Sequence, residues 1–237
     1  MHQRGMLLIL DADDTLWESG VFFERTEFDF LSIMESLGFD RDPIRRRVHK
    51  EDIERLTITG YGARPYFDTL RSILIDLVPI PPPWALQALS DLEMLLLGHP
   101  VVLLPGVLET LEKLDQQSIT TVVYTMGEIG HQTDKFERSG LSELVDDFRI
   151  VPRKTPESLS EFISDLGFSP NQCLLVGNSP RSDINPALAI GVRAIHIARS
   201  RTWAAEREDF ADPGQVITIE RFDELYDLLP LRELLLE

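Results

Sequence analysis

Short, unbroken apolar runs occupy residues 7–10, 119–124, 173–176 and 194–197. Runs of this length between polar segments are what strands buried on both faces look like. A fifth run, 145–151, is weaker because Asp146 and Asp147 interrupt it. Between the runs the apolar spacing becomes helical, as with Leu108, Leu111 and Leu114 in 107–116. Helices are also predicted over 128–139, closed by Gly140, and over 180–190, closed by Gly191. A further helix over 155–166 opens on Thr155-Pro156, has Ser158 at the position of a capping glutamate, and ends at Gly167. Strands alternating with helices predict βαβ units and a parallel sheet. The first two strands, however, are about a hundred residues apart, far more than one crossover needs. Within that gap 22–37, 42–56, 65–77 and 83–97 read as helices. The prediction is an α/β fold. A Rossmann-like parallel-sheet core is built from 1–20 and 101–237, and an all-helical domain, 21–100, is inserted in the first crossover.

Composition narrows the function. The formal net charge is −17 and no basic run offsets it, which excludes wrapping nucleic acid. Arg45-Arg46-Arg47 is followed closely by acids and reads as a solvated helix face. The single cysteine, Cys173, precedes Leu174-Leu175-Val176 and reads as a small buried hydrophobe; it offers neither an internal disulfide nor a thiolate cluster for zinc. The apolar stretch ending at Leu10 is too short for a secretory signal. The longest apolar stretch, 94–108, is broken by His99, Pro100 and Pro105 and is too short to span a bilayer. The expectation is a cytoplasmic protein with no membrane or nucleic-acid partner, its oligomeric state left open.

Ligands of open α/β sheets bind beyond the carboxyl ends of the strands. Asp11 and Asp13 follow the first run at alternate positions. Strand alternation predicts that their carboxylates point the same way. Two close acids repel and are costly to desolvate, so a fold keeps them where a cation or a reacting group needs them. Thr125, Met126 and Gly127 follow the second run, Lys154 precedes the helix at 155, and Asn178 and Asp183 follow the fourth run. These groups are predicted to converge in one crevice. Asp14 reads as a turn residue, and His131 as a solvated helix residue.

In these motifs the chain resembles the haloacid dehalogenase superfamily of hydrolases. Asp11-Ala12-Asp13-Asp14-Thr15 resembles its first motif, Val122-Val123-Tyr124-Thr125 its second, Lys154 before Thr155-Pro156 its third, and Gly177-Asn178 through Asp183 its fourth. The helical insertion resembles the cap of the family's C1-type members. The resemblance implies a Mg²⁺-dependent phosphatase acting on a small phosphorylated metabolite. Asp11 is then the nucleophile that forms an aspartyl-phosphate. Asp13 protonates the leaving oxygen and then deprotonates water. Thr125, Met126, Gly127 and Lys154 hold the phosphoryl group. Asp11, Asp13 (through its carbonyl), Asn178 and Asp183 hold Mg²⁺. Asn178 stands where the family usually has Asp, which implies weaker Mg²⁺ affinity. Glu18, after the first motif, and Arg64, on the helical insertion, are candidate substrate contacts. The alternatives are dehalogenase-type or phosphomutase chemistry on the same core, or a ligand-binding homologue without catalysis.

Overall fold

The computed structural model describes residues 5–117, 119–200 and 203–228. The leucine-rich C-terminal stretch from 229 onward lies outside the described residues. Strand β1 is Leu7–Leu10, and helices α1 (Gly20–Ser36), α2 (Arg41–Thr59), α3 (Ala63–Leu77) and α4 (Pro83–Leu97) follow it. The chain then alternates: α5 (Val107–Asp115), β2 (Thr120–Met126), α6 (Ile129–Ser139), β3 (Asp147–Val151), α7 (Pro156–Asp165), β4 (Cys173–Gly177), α8 (Asn185–Ala189), β5 (Arg193–Ile197), β6 (Val216–Ile219) and α9 (Glu224–Asp227). It divides into two compact units, 1–18 with 101–237, and 19–100.

In the first unit, six described strands form one parallel sheet in the order β3-β2-β1-β4-β5-β6. Alternation along each strand feeds two cores. Leu8, Leu10, Val123, Val176 and Ile195 pack with Val107, Leu111 and Leu114 of α5. Leu7, Ile9, Val122, Tyr124, Leu175 and Ala194 pack with Leu159, Phe162 and Ile163 of α7. β1 is flanked on both sides, pairing Leu10 with Val123 of β2 and with Val176 of β4. Its side chains alternate between the two helix-covered cores, so both faces are buried and all four residues are apolar.

The weak pattern at 145–151 has a physical reason. β3 is an edge strand and all five of its residues are half-buried. Asp146 lies just outside it and accepts the Thr121 N–H at 2.8 Å. The other edge strand, β6, was not predicted, although Val216-Ile217-Thr218-Ile219 is a β-branched run. The helix expected over 180–190 is also broken. The N–H groups of Asp183 and Ile184 both bond to the Ser179 carbonyl, at 3.0 and 3.1 Å, which makes Pro180–Ile184 a π-turn. Pro186 lacks the N–H that would continue an unbroken α ladder, and it lies in the first turn of the short α8.

The helical unit has its own core. Tyr66, Phe67, Leu70, Ile73 and Leu74 of α3 recur at helical spacing and pack with Phe30, Leu31 and Met34 of α1, Val48 of α2 and Leu89 and Leu96 of α4. Asp52 of α2 is buried, and burial pushes its carboxyl up to about 6 against the pull of the His49 charge, with a smaller push from Glu27. A raised acid favours folding below its unfolded pKa, and that contribution is lost as pH rises through about 6. Asp52→Asn is therefore expected to stabilise the protein by about 2 kcal/mol at pH 7.5 and not at pH 3.5, read by urea unfolding at both pH values. No described helix is long and apolar enough to cross a membrane.

Candidate active site

The strand order reverses between β1 and β4, which places a topological switch point at their carboxyl ends. Asp11 leaves β1 there, its N–H bonded to the Val176 carbonyl at 2.9 Å. The strand stops at Leu10, and the N–H groups of Thr15, Leu16 and Trp17 turn back onto the Ala12 carbonyl at 3.2, 2.8 and 3.4 Å. Asp14 makes this turn possible with φ +59°, a left-handed conformation that Asp tolerates better than most residues. The turn also folds Thr15 back, so that its hydroxyl donates to Asp11 Oδ2 at 2.8 Å. Asn178 Oδ1 lies 3.5 Å from the same hydroxyl.

Lys154 reaches this point from the loop between β3 and α7. The loop is anchored by a capping box: Thr155 Oγ1 accepts the Ser158 N–H at 3.2 Å, and Ser158 Oγ accepts the Thr155 N–H at 2.9 Å. The Tyr124 and Ser158 hydroxyls, 2.7 Å apart, tie the same turn to β2. The Lys154 side chain is 3% exposed, and its ammonium donates to Asp11 Oδ1 and, at 2.7 Å, to Asp183 Oδ1. Asp183 is held from behind by the Ser179 N–H, 2.9 Å from Oδ2. Gly177 leaves the room: a Cβ there would sit 2.4 Å from Asp183 Oδ2. Gly177→Ala is expected to cost about 1–3 kcal/mol of stability from overpacking. By displacing Asp183 it should also lower turnover about 100-fold. Thermal unfolding and phosphate release would check the two effects.

Two buried carboxylates thus share one buried ammonium. Burial first, and the Asp183 charge second, raise Asp11 to about 6 against the pull of Lys154 and Thr15. Asp183 is also raised, chiefly by burial. Burial pulls Lys154 down, but the Asp11 and Asp183 charges outweigh it and hold the ammonium above the usual lysine range.

Asp13 has different partners. Its Oδ1 accepts from the Trp17 indole N–H at 2.7 Å, and its Oδ2 from Gln132 Nε2 at 2.9 Å. Lys135 Nζ reaches both oxygens, at 2.5 and 2.7 Å. Burial would raise Asp13, but the Lys135 charge and these hydrogen bonds prevail and hold it at about 2. This corrects one expectation. The strand ends before Asp11, so alternation does not govern Asp13, and the two carboxylates share no described partner. The Lys135 charge favours the ionised form of Asp13, the form in which a carboxylate accepts a proton.

The expected metal set has two acid side chains, Asp11 and Asp183, with Asn178 and the Asp13 carbonyl as its other oxygens. Among the described residues no three His, Cys, Asp or Glu side chains gather to hold a metal ion. Lys154 lies between Asp11 and Asp183, and Lys135 holds Asp13. Thr125 lies inside β2 rather than after it, paired with Ile150 and 1% exposed. The Met126 carbonyl accepts from Gln132 Nε2 at 2.8 Å, and Gly127 takes φ +137° beside it. Glu18 forms a two-pronged pair with Arg199, 3.0 Å to each oxygen, instead of an open contact. Arg64 is an exposed residue in the first turn of α3, in the other unit. His131 is buried rather than solvated.

Lys135 and Gln132 were not singled out from the sequence, and Thr15, read as part of the first motif, was given no role of its own. A signal existed for Lys135 and Gln132. The buried residues of α6 are His131, Gln132 and Lys135, all polar. A core helix whose inward face is polar points at a site rather than at a core.

Residues 6–191 match the family described as haloacid dehalogenase-like hydrolase. The chain belongs to the haloacid dehalogenase-like hydrolases. Within that family it is similar to the glyceraldehyde 3-phosphate phosphatase of Methanopyrus kandleri, 26% identical over 228 residues that span 94% of this chain and 96% of the relative. A haloacid dehalogenase-like family hydrolase from Xanthomonas campestris superposes with a TM-score of 0.82 at 26% identity, over 98% of this chain and 96% of that one. The L-2-haloacid dehalogenase of Xanthobacter autotrophicus shares the fold, with a TM-score of 0.66 at 16% identity over 96% of this chain and 99% of that one. For a haloacid dehalogenase-like hydrolase, the parallel sheet and the acids beyond β1 are the features expected of the catalytic core.

Proposed function

We propose that the protein is a Mg²⁺-dependent phosphatase that hydrolyses a small phosphomonoester through an aspartyl-phosphate on Asp11. The observation that carries this reading is the buried Asp11–Lys154–Asp183 cluster at the switch point, with a second acid two residues after Asp11. The similarity to a phosphatase of a three-carbon phosphate supports a small substrate.

In the first half-reaction Asp11 Oδ attacks phosphorus, the bond from phosphorus to the alcohol oxygen breaks, and the leaving oxygen takes the proton of Asp13, which the water of the second half restores. Lys154 supplies fixed positive charge to the transferring group, and Thr15 holds the carboxylate that attacks. In the second half, water attacks phosphorus, its proton passes to the ionised Asp13, and Asp11 is released as carboxylate with inorganic phosphate. The residues suit Mg²⁺. Asp11, Asp183 and Asn178 Oδ1 are hard oxygen donors close to one hydroxyl or one ammonium, and the buried acids outnumber the ammonium. When bound, the ion would neutralise charge on the phosphoryl oxygens and on the two raised carboxylates.

Phosphate release across a panel of metabolite phosphates, with Mg²⁺ and with EDTA, tests the reading. Turnover with Mg²⁺ that EDTA abolishes is expected. No release from any ester overturns it. Asn178 favours a second reading, dehalogenase-type chemistry, because it removes one metal-binding charge; halide release from a 2-haloacid that survives EDTA would support that reading instead. Asn178→Asp is expected to lower the Mg²⁺ concentration for half-maximal activity by about tenfold, since it adds a charge to the cation's donors.

A further inference from the structure

Helix α6 turns Gln132 and Lys135 inward, one helical turn apart. The Lys135 side chain is 2% exposed, whereas the Asp13 side chain that it grips is 31% exposed. The ammonium therefore stands behind the carboxylate, and the carboxylate stays open to the crevice. Desolvating an ammonium so fully is costly, and a pair kept only for stability gains little over apolar packing. The rest of the arrangement points to the carboxylate's orientation. Lys135 touches both oxygens, Trp17 approaches Oδ1, and Gln132 approaches Oδ2. Gln132 also donates to the Met126 carbonyl and lies against Gly127, where a Cβ would come within 3.0 Å of its Nε2. The α6 pair thus ties Asp13 to the strand end that carries the second motif.

We propose that Lys135 is a positioning residue of the hydrolytic site: with Gln132 and Trp17 it fixes the carboxylate of Asp13 in the orientation from which it takes the proton of the attacking water. This rests on the phosphatase reading and adds to it a part for α6. Lys135 acts through Asp13, the group it holds.

The test compares Lys135→Met, Lys135→Arg and Asp13→Asn with the wild type, using the best ester of the panel and the indole N–H resonance of Trp17. That resonance is assigned by its loss in Trp17→Phe. Lys135→Met is expected to lower kcat about 100-fold, with KM changed less than about threefold. Lys135→Arg should recover at least about tenfold of that loss. In the Asp13→Asn background, Lys135→Met should cost nothing further, because it acts through Asp13. The indole resonance should move in Lys135→Met and stay near its wild-type position in Lys135→Arg. Wild-type kcat in Lys135→Met, or full additivity with Asp13→Asn, overturns the proposal. Should Lys135→Met fail to fold, Gln132→Leu replaces it, with an expected loss of about tenfold in kcat; an unchanged kcat and indole resonance in that variant overturn the proposal. Should the wild type release no phosphate, the phosphatase reading falls. The clamp is then judged by the indole resonance alone, and an unmoved resonance overturns it.

Discussion

Asp11→Asn is expected to reduce phosphate release by at least about 10⁴-fold, because an amide cannot form the acyl-phosphate that splits the reaction into two steps. The fold should survive. The one oxygen of Asn can still accept from Lys154, its NH2 can donate to the Thr15 hydroxyl, and Lys154 retains Asp183 as counter-ion. The pH dependence separates this loss from misfolding. Asp11 is raised to about 6, so its contribution to stability is present below about 4 and lost as pH rises through 6. In EDTA, the variant should therefore match or exceed the wild-type Tm at pH 8 while remaining inactive. A variant that is unfolded at pH 8, or that keeps more than about 1% of the activity, contradicts the assignment of Asp11 as nucleophile.

Lys154→Met is expected to be the most destabilising single change in the core. It leaves Asp11 and Asp183 buried together without a counter-charge, a situation worth about 3–5 kcal/mol. Both carboxyls can take up protons, so the loss should be largest at pH 8 and much smaller at pH 5. Turnover should fall about 1,000-fold at either pH, since fixed charge at the transferring group is lost. Urea unfolding at the two pH values, with and without Mg²⁺, checks this. A divalent cation should recover part of the stability at pH 8, because it neutralises the same two carboxylates. A loss of stability independent of pH would mean that Lys154 serves packing rather than charge.

The parts of the fold that could be read from the chain are those where local pattern and burial agree. β1 was legible to the residue, because a strand whose side chains enter a helix-covered core on each side must be apolar on both faces. The four helices of 19–100 were legible from apolar spacing, clearest in the stripe of α3, and Pro83 and Gly98 stand at the limits of α4. The edge strands were harder. β3 keeps water on part of every residue, so its pattern is mixed, and β6 follows an irregular stretch that gives no helical period to end it. The π-turn at 180–184 was not legible because its cause is a shared carbonyl, Ser179, and not a residue type.

The candidate site divides in the same way. Asp11, Lys154, Asn178 and Asp183 could be chosen from the sequence because each sits at the end of an apolar run or before a cap, where α/β folds expose side chains. Their types and order pointed to the family and to the chemistry expected of it. Which charge meets which was decided by the tertiary structure alone. Asp13 pairs with Lys135 across 122 positions of sequence, and Lys154 meets Asp11 across 143. Glu18 is taken up by Arg199. The physical reason is that a charge can be buried only where another chain segment supplies its counter-charge. Propensity and periodicity act over one or two turns of chain, whereas that pairing depends on how the sheet brings distant loops to one edge.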